Sequence, residues 1–181
     1  MAELLEKIPA EKRWAITSTA LTRLVSLRVA RTRLALGAEE GIIAPVLGTE
    51  KMKEISMKIW AETGKKFWPY FKEIFNLIVE DAVGAAKLSI VAGILSEGAD
   101  NEYDIVEANT ERAILRISKC VWWKRAKENE VNPELMHCEF AHQLCSEEGL
   151  KAINPKFTYK ITKVMPRGDP YCEVVIEFKD D

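Results

Sequence analysis

Apolar residues recur at three- and four-residue steps along the first half of the chain and at two-residue steps along much of the second. From Pro9-Ala10-Glu11-Lys12 onward, Trp14, Ala20, Leu21, Leu24, Leu27, Ala30 and Leu34 make such a stripe up to Gly37, which predicts a long amphipathic helix opened by proline and stopped by glycine. Residues 39–48 are apolar around Pro45 and read as a short helix or turn. Thr49 then caps a second long helix, with Met52, Ile55, Ile59, Trp60, Phe67, Phe71, Ile74 and Ile78 as its stripe. Pro69 should kink or break it near Trp68, because proline removes a helical donor and its ring crowds the preceding turn. Asp81 to Leu95 continues as helix; Gly84, Ala85, Ala86, Ala92 and Gly93 permit close backbone contact, and 96–100 ends it.

The period changes after that. Tyr103, Ile105 and Glu107 alternate, Ala108-Asn109-Thr110 turns the chain, and Ala113, Leu115 and Ile117 alternate again, predicting a hairpin that ends at Cys120, Trp122 and Trp123. Residues 124–132 read as a charged loop or helical extension, Pro133 as a helix start, and 134–149 as a helix. After Asn154-Pro155, a strand through Phe157, Tyr159 and Ile161 turns at Pro166-Arg167-Gly168-Asp169 and returns as Cys172, Val174, Ile176 and Phe178. Helices followed by antiparallel strands around one late helix specify an α+β fold. One domain spans 1–181, helical over 1–98 and a sheet with helix 134–149 over 99–181.

Composition narrows the class without naming a partner. The 181 residues are 48% apolar and 30% charged, an ordinary globular mixture. A net charge of -2 gives no whole-molecule footprint for nucleic acid, so no nucleic-acid partner is expected. Arg13, Arg23, Arg28, Arg31 and Arg33 crowd the first helix, as a solvated face or for an anionic partner. Met1 to Lys12 has no apolar leader, and Ile74 to Leu95 carries Glu80, Asp81 and Lys87; no membrane partner and a cytoplasmic location follow as expectations. Reduced thiols are expected there, so Cys120, Cys138, Cys145 and Cys172 serve as core, metal ligands or reactive groups.

Cys138, His142 and Cys145 are separated by four and then three residues, one side of a regular helix. Thiolate and imidazole suit a transition-metal ion such as zinc, with Cys120 or Cys172 as a fourth ligand. The spacing is not that of a recognised zinc module, and the same trio would serve equally as core. A third reading is a thiolate activated by the neighbouring imidazole. His137 lies about a quarter turn away, as a surface or capping residue. Glu139, Glu147 and Glu148 stand near in sequence, either to orient the imidazole or as a solvated edge. Arg167 could hold a substrate carboxylate with Asp169 and Glu173 nearby, although Pro-Arg-Gly-Asp is also good turn chemistry. Trp122 and Trp123 could wall a pocket beside Cys120 or divide between core and interface.

A strand ending in Cys120 before Trp122, a helix with Cys138, His142 and Cys145, the Asn154-Pro155 break and the Gly168-Asp169-Pro170-Tyr171-Cys172-Glu173 segment together resemble the L-2-amino-thiazoline-4-carboxylate hydrolase family. More distantly they resemble the 4-vinyl-reductase-like small-molecule-binding domains. The resemblance covers roughly residues 80 to 178. It implies hydrolysis of a small cyclic, amidine-like C–N compound by water addition, with Cys120, His142 and Cys172 catalytic and Arg167, Asp169 and Trp122 holding the substrate. The alternative is a non-catalytic domain that binds a small ligand, or a metal through Cys138, His142 and Cys145. A homodimer through the apolar first helices is compatible with either.

Overall fold

The computed structural model describes residues 45–97, 100–128 and 130–179. The helix expected over 9–36, with its arginines, lies outside them. Helix α1 spans Thr49–Ile74 and runs unbroken through Pro69. Thr49 is its first residue rather than its cap; Gly48 holds the cap position without a side-chain hydrogen bond. The expected break at Pro69 does not occur, because Trp68 and Phe71 on either side are packed into the core and hold the last turn in line. Asp81 accepts the Gly84 amide at 2.7 Å and so caps α2, Ala82–Glu97.

Strands β1 (Glu102–Ala108) and β2 (Arg112–Lys119) form the expected hairpin. The Asn109 carboxamide closes it by accepting the amides of Glu111 and Arg112 at 3.0 and 2.8 Å. The next helix, α3, spans Val121–Glu128. The continuous helix expected over 134–149 is three pieces: a 3-10 turn at Pro133–Leu135, a π turn at Cys138–His142 and helix α4 at Gln143–Ile153. Strands β3 (Phe157–Lys163) and β4 (Cys172–Phe178) complete an antiparallel sheet in the order β1-β2-β4-β3. The α+β arrangement of helices followed by an antiparallel sheet is therefore as the sequence pattern predicts.

One face of the sheet is covered by helices. Ala113 and Leu115 of β2, Val174 and Ile176 of β4, and Phe157 and Tyr159 of β3 pack with Ala82, Ala85, Ala86 and Leu88 of α2 and with Trp68 of α1. The run of alanines lets α2 lie close over the central strands. Helix α4 flanks β3, where its Gln143 carboxamide accepts the Ile161 amide at 3.0 Å, and α1 packs on α4. That last pairing is tight: a Cβ on Gly64 would collide with the Cys145 backbone, and one on Gly149 would enter the Trp68 indole. Because this approach is backbone-on-backbone and cannot relax by a rotamer change, Gly64→Ala should lower stability by about 2 kcal/mol or more, as overpacked sites do. Urea unfolding would measure the loss, and a midpoint equal to that of the parent would show that the helices separate freely.

Candidate functional site

Cys120, Cys172, Arg167 and Asp169 lie at one end of the sheet. Cys120 immediately follows β2, and Cys172 opens β4 opposite Ile117 on the helix-covered face. The Cys172 sulfur accepts the Met165 amide at 3.4 Å. The β3–β4 connection at that end includes a short turn, Met165–Arg167. Arg167 ties this turn to the irregular segment before α4, donating to the Pro133 carbonyl at 2.6 Å and pairing with Glu139 at 2.7 Å. Asp169 accepts the Val164 amide at 2.8 Å. Arg167 and Asp169 thus both have bonds within the protein that shape this turn.

The thiol and imidazole trio sits across a change of helix type. Cys138 and His142 bound the π turn, in which the His142 amide donates to the His137 carbonyl at 2.9 Å. Cys145 lies one turn into α4, buried against Gly64 of α1. The three therefore do not share one regular helix, the geometry on which their common face was predicted. Among the described residues, no group of three or more His, Cys, Asp or Glu side chains is arranged to hold a metal ion.

His137 is not the surface residue its helical position predicts. The chain breaks at Met136 and His137, so the imidazole turns inward and is only 9% exposed. It is surrounded by rings: Trp122 of α3 edge-on at 5.3 Å between centroids, Trp60 of α1 at 5.8 Å and Phe140 of the π turn at 6.2 Å. The Lys53 ammonium stands 6.0 Å from the Phe140 centroid. Three separate elements thus supply an aromatic enclosure for one polar ring, and edge-to-face packing of this kind is favourable beyond the area it buries. Sequence reasoning singled out Trp122 but not Trp60, His137 or Phe140. Trp60 had appeared only as one position of an apolar stripe, and no local signal joins it to residues some 77 positions on.

The open face of the sheet carries a second cluster. Glu173 is 9% exposed although its strand neighbours on that face point to solvent. It accepts from Arg116 at 2.9 Å and Thr162 at 3.1 Å, and Lys163 stands at 3.5 Å. Lys163 also donates to the Tyr171 hydroxyl at 2.8 Å, and Arg116 lies over the Tyr171 ring at 4.6 Å. The Arg116 hydrogen bond is the chief reason that the Glu173 carboxyl titrates below its ordinary value, with Thr162 and Lys163 adding to it against the opposing effect of burial. Beyond Thr162, an open depression of about 480 Å³ runs along β3 and β4 beside Gln143 and Glu147 of α4. It is open to solvent.

No protein-family model matches the chain, and no curated protein matches it. Solved structures do. The phenol-responsive sensory domain of the transcription activator PoxR, solved with phenol, aligns over 80% of this chain and 73% of its own at a TM-score of 0.55 and 13% identity. A subunit 3 of the trafficking protein particle complex from Naegleria fowleri, covalently bound to palmitic acid, aligns over 90% of this chain and 97% of its own at 0.52 and 11%. At these identities the likeness is one of fold. No helix among the described residues is long and apolar enough to cross a membrane.

A carboxylate whose folded-state pKa is lowered stabilises the fold above its unfolded value, and that contribution disappears as pH falls through the folded one. Glu173→Gln should therefore have a lower unfolding temperature than the parent at neutral pH, with the two curves converging as pH falls below the ordinary carboxylate range of about 4. Thermal unfolding across that range is the measurement; a gap independent of pH would remove Glu173 ionisation as the cause.

Proposed function

We propose that this chain is a small-ligand-binding domain whose site is the aromatic enclosure around His137. The observation that carries the proposal is an imidazole buried among Trp60, Trp122 and Phe140. An interior of aromatic walls with one polar group to orient a guest is the composition of small-molecule sites. The wall formed by residues 133–142 consists of short turns with a π segment, irregular structure of the kind that opens at low cost and recurs at functional sites. A domain of the same fold responds to phenol, which supports an aromatic guest whose ring would pack against the indoles.

The narrower reading, hydrolysis of a cyclic thiazoline carboxylate, rests on the sequence resemblance and needs Cys120, His142 and Cys172 to act together with Arg167 as the carboxylate clamp. The Arg167 guanidinium is already bonded to Glu139 and Pro133, which favours binding over hydrolysis. Titration of phenol while tryptophan emission is followed tests the proposal, since two indoles line the site. Saturable quenching is expected, weakened about tenfold or more in His137→Gln and in Trp122→Leu. No change in emission or thermal stability at millimolar phenol would sink the phenolic guest. Consumption of 2-aminothiazoline-4-carboxylate that is lost in Cys120→Ala, His142→Ala and Cys172→Ala would put hydrolysis in place of binding alone.

A further inference from the structure

One guanidinium grips the segment that carries His137 on both sides of that residue. The Nη1 of Arg167 donates to the Pro133 carbonyl at 2.6 Å, and its Nη2 meets the Glu139 carboxylate at 2.7 Å. The mounting of Arg167 is firm. It ends the short turn Met165–Arg167, which is fixed to the sheet where Asp169 accepts the Val164 amide at 2.8 Å and the Cys172 sulfur accepts the Met165 amide at 3.4 Å. The segment it grips is less regular. The chain approaches it through Glu130, whose φ of 54° lies in the left-handed region that a side chain disfavours, and passes extended backbone at Met136 before the π turn.

We propose that Arg167 is a clasp that sets how often residues 133–142 swing outward, carrying His137 and Phe140 away from Trp60 and Trp122. A guanidinium suits this role because its planar fork satisfies two acceptors at once, whereas an ammonium is a point charge. Both members of the ion pair sit at the surface, with Arg167 36% and Glu139 44% exposed, so water competes for the pair and its release costs little. Trp60 and Trp122 belong to the regular helices α1 and α3, and a swing of the irregular segment bares their indoles while those helices stay in place. The clasp is thereby a gate to the aromatic enclosure. Its role as a gate rests on the ligand-binding reading above; the swing itself does not.

Hydrogen exchange of the full chain, with no ligand added, tests the swing. The Ala141 and His142 amides, both bonded to the His137 carbonyl, are the reporters, and the amides between β2 and β4 are the reference. In Arg167→Lys and in Glu139→Gln the reporters should exchange about tenfold faster while the reference is unchanged. Reporter rates equal to the parent's in both variants would overturn the clasp. Equal acceleration of reporters and reference would also overturn it, since Arg167 would then support the whole fold and not one segment. Stopped-flow mixing with phenol tests the gate separately, and association should be about tenfold faster in the same two variants because the open form is more populated. Association at the parental rate despite fast exchange would overturn the gate. Fast exchange with no phenol binding in any form would uphold the clasp and refute the phenolic guest alone.

Discussion

The close approach of α1 and α4 is the constraint on which the remainder of the structure depends. Gly64 admits the backbone at Cys145, and Gly149 admits the indole of Trp68. Two absent side chains at opposite ends of one contact bring the helices to backbone distance. This contact places Trp68 edge-on to Tyr159 of β3 at 6.3 Å between centroids, coupling the helix pair to the sheet. It also sets the height of α1 over the molecule. Trp60, one turn before Gly64, consequently reaches the imidazole of His137 rather than solvent.

The two polar clusters show different solutions to burying charge or polarity. Glu173 lies under the side chains of Arg116, Thr162 and Lys163 on the open face of the sheet, where each bond is made across neighbouring strands. Such a network joins β2, β4 and β3 and reads as structural. His137 lies instead among aromatic rings contributed by a helix, a short helix and a π turn. Its surroundings are apolar, and the segment carrying it is tethered by the half-exposed Arg167–Glu139 pair, an interaction of modest strength in water.

Much of this was legible in the sequence for identifiable reasons. The strands announced themselves through strict alternation at Ala113, Leu115 and Ile117 and at Cys172, Val174 and Ile176, and the hairpin through the Asn109 side chain that closes it. What failed had non-local causes. Pro69 does not break α1, since the core contacts of Trp68 and Phe71 outweigh one missing amide bond. The helix expected over 134–149 is interrupted at His137, and the quarter-turn argument that placed this ring at the surface assumed an unbroken period. Arg167 offered no sequence sign that its guanidinium would meet a carbonyl 34 residues away. Periodicity could not reveal the change of helix type between Cys138 and Cys145.

The π turn at Cys138–His142 has an evolutionary side. A π turn is a regular helix carrying one surplus residue, with the strain localised to a single wide turn. Helix α4 downstream keeps the register that seats Cys145 and Gly149 against α1, whereas upstream the chain leaves the helix at Met136, whose backbone is extended. A chain shorter by one residue within 138–142 would retain the helix pair and the sheet while drawing the segment that carries His137 toward α4. His137 would then leave its ring of tryptophans and Phe140. Chain length in this one turn is thus a heritable setting for the interior, separate from the packing that keeps the protein folded.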